Sequence, residues 1–498
     1  MKVIDIFAGP GGLAEGFNAI YDQSGKRVFD IALSIEKAKD AFNTLKLRTF
    51  FREFSNKNIP DAYYAFLKGE MKYENLLAEF PREANSAAFK TWQATLGDKD
   101  KFPHKEIDKK IGDALDGSSD WILIGGPPCQ AYSLVGRARN QWTADHQPDD
   151  EHPYYHLYKE YIRIISKHDP CAFVMENVPG LFSVVGSNGP LFNHILKRLR
   201  NPSRTQHYQL FSMANGLWQP GNPVQEFLIK AELYGIPQAR HRIIVFGIRE
   251  DLIQKDFSPL SPSAEYTPLR DVIGGLPRLR SGLSQGPDSL SAWQAAITSI
   301  QKEPWFCSFK DNFPKESGLM LEAIKSVEQS ELNRGSEFVE ADADQPALAD
   351  WYIDKRLQGQ CNHSTRGHLV SDLWRYLLSA CYTLANGRSP RLEEYPVELL
   401  PAHKNALHGK FNDRFRVQYA DHPAKTLTSH IAHDGHYYIH FDPSQCRSLT
   451  VREAARIQTF PDNYFFCGGR TSQYEQVGNA VPPYLAKIIA EKVLEMLQ

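Results

Sequence analysis

Cys129 stands in Gly125-Gly126-Pro127-Pro128-Cys129-Gln130, directly after the apolar run Trp121-Ile122-Leu123-Ile124, so a single thiol is expected at the C-terminal end of a buried strand. A second apolar run, Ala172-Phe173-Val174-Met175, ends in Glu176-Asn177-Val178, which brings a carboxylate and an amide to a second strand end. Open α/β sheets keep their sites outside the carboxyl ends of their strands, so Cys129 and Glu176 are predicted to meet over one substrate. A thiol is only a few per cent ionised near neutral pH, and a helix N-terminus or a nearby arginine lowers its pKa. A carboxyl group beside it can deliver or accept a proton. The pair therefore suits covalent catalysis by a cysteine with an acid at hand.

The elements that hold these residues follow from short apolar runs alternating with helical segments. The runs are Val3 to Phe7, Asp30 to Ser34, Trp121 to Ile124, Cys171 to Met175 and Arg242 to Gly247. This is a βαβ rhythm and predicts a parallel sheet. The first strand ends in Phe7-Ala8-Gly9-Pro10-Gly11-Gly12-Leu13, a glycine-rich turn opening a helix, where missing side chains let backbone approach a ligand. Its spacing is not the GxGxxG of dinucleotide binders. Glu36 closes the second strand, where a Rossmann-type sheet places an acid for ribose hydroxyls, so the two features together suggest a nucleoside cofactor.

Residues 1–282 are read as a catalytic and cofactor-binding domain, with a helical insertion near 50–119 that is longer than one crossover needs. From Leu283 to Gly435 the rhythm is lost, Pro, Ser, Asn, His and Arg become frequent, and one long helical pattern runs from Val370 to Asn386. This is read as a smaller, irregular second domain. Residues 436–498 return to helical spacing, with Ser448 or Thr450 as a cap for a helix over Thr450 to Gln458, and complete the first domain.

At 498 residues, 42% hydrophobic and 23% charged, the chain is globular and long enough for two or three domains. A net charge of −2 excludes coating of nucleic acid by bulk charge and leaves room for one basic cleft. Seven cysteines without a CxxC pair form neither a disulfide framework nor a zinc motif, so no metal and a reducing compartment are expected. Cys361, His363 and His368 lie close together without a second ligand pair and read as a polar loop. No signal-peptide layout and no run of roughly 18 apolar residues is present, so a soluble cytoplasmic protein without membrane contact is expected.

Five motifs carry a resemblance: Phe7 to Gly12, Gly126 to Gln130, Glu176 to Val178, Gln238-Ala239-Arg240-His241-Arg242, and Gln476-Val477-Gly478-Asn479-Ala480-Val481-Pro482-Pro483. Together, and in this order, they resemble the motifs of the DNA (cytosine-5) methyltransferases of bacterial restriction-modification type. Leu449 to Pro461 resembles the family's penultimate motif. The likeness covers roughly the first 280 residues and the last 60.

The resemblance implies a Rossmann-like domain dependent on S-adenosylmethionine, with S-adenosylhomocysteine as product, and a smaller target-recognition domain over 283–435. It implies methyl transfer to carbon 5 of a cytosine in a specific sequence of double-stranded DNA, on a base flipped out of the duplex at a cost of a few kcal/mol. In that reading Cys129 is the nucleophile, Glu176 holds the base edge and supplies protonation, Arg240 braces the base and the anionic centre, and Arg242 supports structure or phosphate. Phe7, Gly9, Gly11, Gly12, Leu13, Glu36, Pro128, Asn479 and Val481 would line the cofactor pocket, and Asp113 would contact the adenine amino group. Ser133, Gly136, Arg137 and Arg139 would form a loop closing on DNA, and Arg366, Arg414 and Arg416 are basic candidates for DNA contact in the second domain. A monomer associated with the bacterial nucleoid is implied, with a cognate restriction endonuclease acting separately. Two alternatives share the motifs or the fold: a transfer-RNA cytosine-5 methyltransferase, and a catalytically silent nucleic-acid-binding regulator.

Overall fold

The structure is a computed structural model that describes residues 1–55, 58–128, 157–186, 189–401 and 412–498. Its centre is a nine-stranded mixed sheet. Strands β1 (Lys2–Ile6), β2 (Asp30–Glu36), β3 (Thr91–Gln93), β4 (Trp121–Gly125) and β5 (Ala172–Asn177) are parallel and lie in the order β3-β2-β1-β4-β5. Val3, Ile4, Ile6 and Ile122 to Ile124 are wholly buried, as central strands covered on both faces require. Helices α1 (Gly12–Asn18) and, from the far end of the chain, α15 (Pro483–Leu497) cover one face through Leu13, Phe17, Leu485 and Ile489. On the other face lie α6 (His104–Leu115), α7 (Leu157–His168) and α8 (Leu191–Arg200), through Ile107, Tyr161, Ile165 and Phe192.

The sheet departs from the all-parallel expectation beyond β5. Strands β6 (Tyr208–Ser212), β7 (Gly216–Trp218), β8 (Leu228–Lys230) and β9 (His241–Arg249) are joined by antiparallel pairings, and β9 runs antiparallel to β5 with Ile244 opposite Glu176. Apolar runs carry no sign of strand direction. The reversal matters to the site, because the start of β9 then lies at the same edge as the end of β5.

The segment between β2 and β4 is helical as expected, with α2 (Lys39–Arg52), α3 (Asp61–Leu67), α4 (Tyr73–Glu79) and α5 (Pro81–Lys90). It also returns to the sheet as β3, a three-residue edge strand too short for any period to reveal. Between Leu283 and Gly435 the chain holds more helix than its composition suggests: α9 (Leu290–Thr298), α10 (Pro304–Asn312), α11 (Pro314–Glu328) and α12 (Val370–Asn386). Ser289 caps α9, and prolines that read as breakers occupy the first positions of α10 and α11, where a missing N–H costs nothing. Their core is Trp293, Phe306, Met320, Tyr376 and Leu377.

The antiparallel pair β10 (Gly335–Glu340) and β11 (Gly359–Ser364) rests on the insertion, Phe338, Leu357 and Cys361 sharing a core with Tyr63, Tyr64 and Leu67. Arg356 bonds the Ile59 carbonyl at 2.6 Å, and Tyr64 donates to Asp354 at 2.7 Å, so the insertion is strapped to the segment between β10 and β11. Near the C-terminus, α13 (Val451–Ile457) is capped by Thr450, whose hydroxyl accepts from Glu453 N while Glu453 accepts from Thr450 N. Helix α14 (Arg470–Asn479) then leads to α15.

Candidate active site at the carboxyl edge of the sheet

The β1–β2 end of the edge is built from backbone. Phe7 and Gly9 adopt positive φ (55° and 57°), and Gly9 N donates to Glu36 Oε2 at 2.8 Å while Ala38 N donates to Oε1 at 2.8 Å. Glu36 is thereby held at the lip of the turn with lone pairs to spare, an acceptor pair that fits the hydroxyls of a diol. A Cβ on Gly12 would lie 2.1 Å from the Val481 carbonyl oxygen, so the turn and the C-terminal segment meet with no room for a side chain. Leu13 is buried beneath them, Phe7 packs on the core of the α6 face, and Asn479 is exposed at the end of α14. These residues fit a nucleoside cofactor.

At the β4–β5 end, Glu176 forms an ion pair through Oε1 with Arg242 Nε at 2.8 Å. A Cβ on Gly126 would come within 2.6 Å of Glu176 Oε2, and Asn177 Nδ2 reaches the Pro127 carbonyl at 3.4 Å. The chain leaving β4 is therefore drawn across Glu176 immediately before Pro128, which is half-buried. Burial pushes the pKa of Arg242 down and the Glu176 charge opposes it, so each of the two groups offsets the cost of burying the other.

The structure corrects the roles of the two arginines. Arg240 is 1% exposed and donates through Nη1 to the Leu427 carbonyl at 2.6 Å and through Nη2 to the Gly478 carbonyl at 3.1 Å. Its guanidinium is spent on backbone, and burial, with Arg242 adding to it, sets its pKa well below the ordinary value. Arg242 is the one beside the carboxylate. Gln238, which sequence reasoning left without a part, accepts from Leu427 N at 2.7 Å and donates to Gln458 at 2.7 Å. Together Gln238 and Arg240 hold both polar atoms of the Leu427 peptide units, and Gln238 and Ala239 pair with Ala424 and Lys425. The Ala424 to Leu427 segment is thus stitched to the edge within two residues of Arg242.

Asp113 does not belong to the site. It lies near the end of α6, exposed and paired with Lys109 at 2.6 Å, where the adjoining Ala114 and Leu115 carbonyls receive Lys2 Nζ from the start of β1. That is the amino edge of the sheet, opposite the glycine turn. An acid that does stand at the carboxyl edge is Asp98, just past β3, whose Oδ1 accepts from Lys101 N at 3.2 Å; its signal was Gly97-Asp98 after Thr91 to Leu96, legible only once β3 is known, and Gly97 takes φ 93°. Arg366 is likewise not free for DNA, because it donates to the Ile431 and His433 carbonyls at 2.7 and 2.9 Å and stacks over Tyr474. Arg414 and Arg416 are half-buried, paired with Asp434 and Asp413, and Arg416 lies over the Tyr437 ring. Cys129, Ser133, Gly136, Arg137 and Arg139 lie outside the described residues. Among the described residues no group of three or more His, Cys, Asp or Glu side chains is placed to hold a metal ion, and no helix is long and apolar enough to cross a membrane.

Fold and edge together define an α/β protein with a glycine-rich turn beside a carboxylate–arginine pair. The chain belongs to the C-5 cytosine-specific DNA methylase family, whose profile it matches over residues 62–495. It is 32% identical over 515 residues to the type II methyltransferase M.Bpa9945I of Bacillus paralicheniformis, covering 100% of this chain and 99% of that one. It is 25% identical over 425 residues to the DNA (cytosine-5-)-methyltransferase M.ApeKI of Aeropyrum pernix, covering 77% and 83%. Among solved structures it resembles the methyltransferase EhMeth of Entamoeba histolytica, at 12% identity and a TM-score of 0.44, with 100% and 99% of the two chains covered.

Proposed function

We propose that this chain methylates carbon 5 of one cytosine within a specific duplex sequence, with Cys129 as nucleophile, and that it protects host DNA beside a separately acting restriction endonuclease. The observation that carries the reading is the Glu176–Arg242 pair under Gly126, three residues before Cys129. S-adenosylmethionine, when bound, supplies a methyl group on a sulfonium. Glu36 would hold its ribose, the backbone of Gly9, Gly11 and Gly12 with Leu13, Phe7, Pro128, Asn479 and Val481 would enclose it, and Asp98 takes the adenine contact first given to Asp113.

Carbon 5 of cytosine is a poor nucleophile. Addition of the Cys129 thiolate to carbon 6 makes the ring enamine-like, and Glu176, held in place by Arg242, takes up a proton from solvent and passes it to the N3 edge as that bond forms. Carbon 5 then takes the methyl group. Loss of the carbon 5 proton to a base re-forms the double bond and expels the thiolate, and the N3 proton returns to Glu176. Arg240 acts one step removed, by keeping Leu427 and Gly478 where they close the pocket. Arg414 and Arg416 remain candidates for DNA contact, as do Ser133, Gly136, Arg137 and Arg139.

The test is covalent trapping. Duplex DNA with 5-fluorocytosine at the target position should give a denaturation-resistant adduct with the wild-type chain and none with Cys129→Ala. Transfer RNA should give none with either. An adduct formed by the alanine variant would remove Cys129 from this role.

A further inference from the structure

Beneath the glycine turn lies a group of buried polar side chains that the reaction above does not use. Asp5 and Ser34 are register partners on β1 and β2, and both are 0% exposed. Arg52 of α2, also buried, acts electrostatically on Asp5 and donates through Nη2 to Glu15 of α1 at 2.8 Å, and Thr49, one turn earlier on α2, is buried as well. Both carboxyl oxygens of Asp5, the hydroxyls of Ser34 and Thr49, and Nε and Nη1 of Arg52 have no hydrogen-bond partner. Buried polar atoms are nearly always bonded, so such a concentration in one place marks a space that ordered water completes. The cofactor turn is its roof: Ala8 N bonds the Ile35 carbonyl at 3.1 Å, and Gly9 N bonds Glu36.

We propose that Asp5, bridged by water to Ser34, Thr49 and Arg52, is a charge-tuning group for the cofactor turn, neutral in its resting state, whose ionisation favours the cationic sulfonium of S-adenosylmethionine over the neutral thioether of S-adenosylhomocysteine. This rests on the cofactor reading given above. The charged and titratable groups around Asp5 are Glu15 from α1, Arg48 and Arg52 from α2, Glu36 from β2, Tyr161 from α7 and Tyr464 from the C-terminal segment. Helix α15 buries only apolar side chains against α1. Burial outweighs the attraction of Arg52, and Glu36 adds to it, so the Asp5 carboxyl is pushed up to about 8. Glu15, although burial works against it, is held at about 2 by Arg48 and Arg52 and stays ionised. Ionisation of Asp5 therefore adds one negative charge to a group that already holds Arg48 and Arg52 against Glu15 and Glu36. A charge at roughly 10 Å in an effective dielectric of about 20 changes a binding constant by roughly tenfold, and it does so for the ligand that carries the opposite charge.

The experiment is calorimetric titration of the full chain with S-adenosylmethionine and with S-adenosylhomocysteine, below pH about 7 and above pH about 9, for the wild-type chain and Asp5→Asn. The ratio of the two dissociation constants should move toward S-adenosylmethionine by roughly three- to tenfold in the wild-type chain relative to the variant as pH rises. Comparing the two chains cancels the titration of the ligands themselves. A ratio that moves alike in both overturns the proposal and leaves the cofactor reading intact, whereas failure of both ligands to bind the wild-type chain overturns both. If Asp5→Asn does not fold, the wild-type infrared spectrum decides: a neutral carboxylic-acid carbonyl band that disappears with a midpoint near pH 8 supports the proposal, and its absence sinks it.

Discussion

At the β1–β2 end of the sheet edge the contacts are made by main chain: Gly9 N on Glu36, and Gly12 against the Val481 carbonyl with no space for a Cβ. At the β5–β9 end they are made by charged side chains, Glu176 on Arg242 and Arg240 on two carbonyls of distant segments. A surface of backbone tolerates no added atom, since packed interiors lack the room. A surface of charges tolerates volume but not the loss of a partner, because the remaining group is left buried and uncompensated. The first end should therefore fail by steric intrusion and the second by charge removal.

Charge removal at the second end should have the largest effect. Glu176→Gln retains a hydrogen-bonding amide but cannot deliver a proton, and single-turnover methylation should slow by about two to four orders of magnitude. Calorimetry should show cofactor affinity changed by less than about twofold, since Glu176 lies at the other end of the edge. A matching loss of cofactor affinity would mean that the two ends are not separable.

Steric intrusion at the first end should come next. Gly12→Ala drives a Cβ to 2.1 Å from the Val481 oxygen, and forcing an atom into a packed contact costs about 1–3 kcal/mol. We expect cofactor affinity to fall roughly tenfold to hundredfold and the rate at saturating cofactor to stay near that of the wild-type chain. If Gly12→Ala binds as tightly as the wild-type chain, the contact with Val481 is not what shapes the turn.

The two neighbouring arginines sharpen the comparison further. Arg240→Met leaves the Leu427 and Gly478 carbonyls without their donor, a cost of about 1–3 kcal/mol each if no water replaces it, less the relief of removing a buried cation. Its signature should be a lower Tm and a raised KM for DNA with kcat little changed. Arg242→Met should do the reverse, lowering kcat because Glu176 loses its ion pair. Equal losses of kcat in both variants would return Arg240 to the reacting centre.

The backbone-built end was the more legible of the two in sequence. Glycines at Gly11 and Gly12 announce a close approach by what they lack, Gly9 a left-handed turn, and Glu36 is located by the end of its own strand. The charge-built end was legible in its residue types but not in its pairings. Arg240 and Arg242 are two residues apart and chemically identical, and which one meets Glu176 depends on where Leu427 and Gly478 lie, both far along the chain. Asp113 was misplaced for a related reason: without β3, a strand of Thr91, Trp92 and Gln93 with no period of its own, nothing marked Asp98 as standing past a strand end. The helices at Leu290 to Glu328 were obscured because Pro304 and Pro314 act there as helix starts.

The smallest effect tests the same distinction within the second unit. Arg366 and Arg416 are both arginines among residues expected to contact DNA, yet their guanidinium groups are engaged differently. Arg366 gives both Nη groups to backbone carbonyls and its face to Tyr474, so it has little left to offer a phosphate. Arg416 also lies over a ring, that of Tyr437, but its half-buried guanidinium is bonded only to the side chain and carbonyl of Asp413, a neighbour in its own loop, and a partly exposed pair of this kind is worth at most about 1 kcal/mol, so a phosphate can compete for it. Loss of one phosphate contact lowers the slope of log affinity against log salt by about 1. Arg416→Ala should therefore flatten the salt dependence of duplex binding by about that amount, while Arg366→Ala leaves the slope unchanged and lowers Tm instead. A flatter slope for Arg366→Ala would show that its bonds to Ile431 and His433 are given up when DNA arrives, and that the 429–437 segment rearranges on binding.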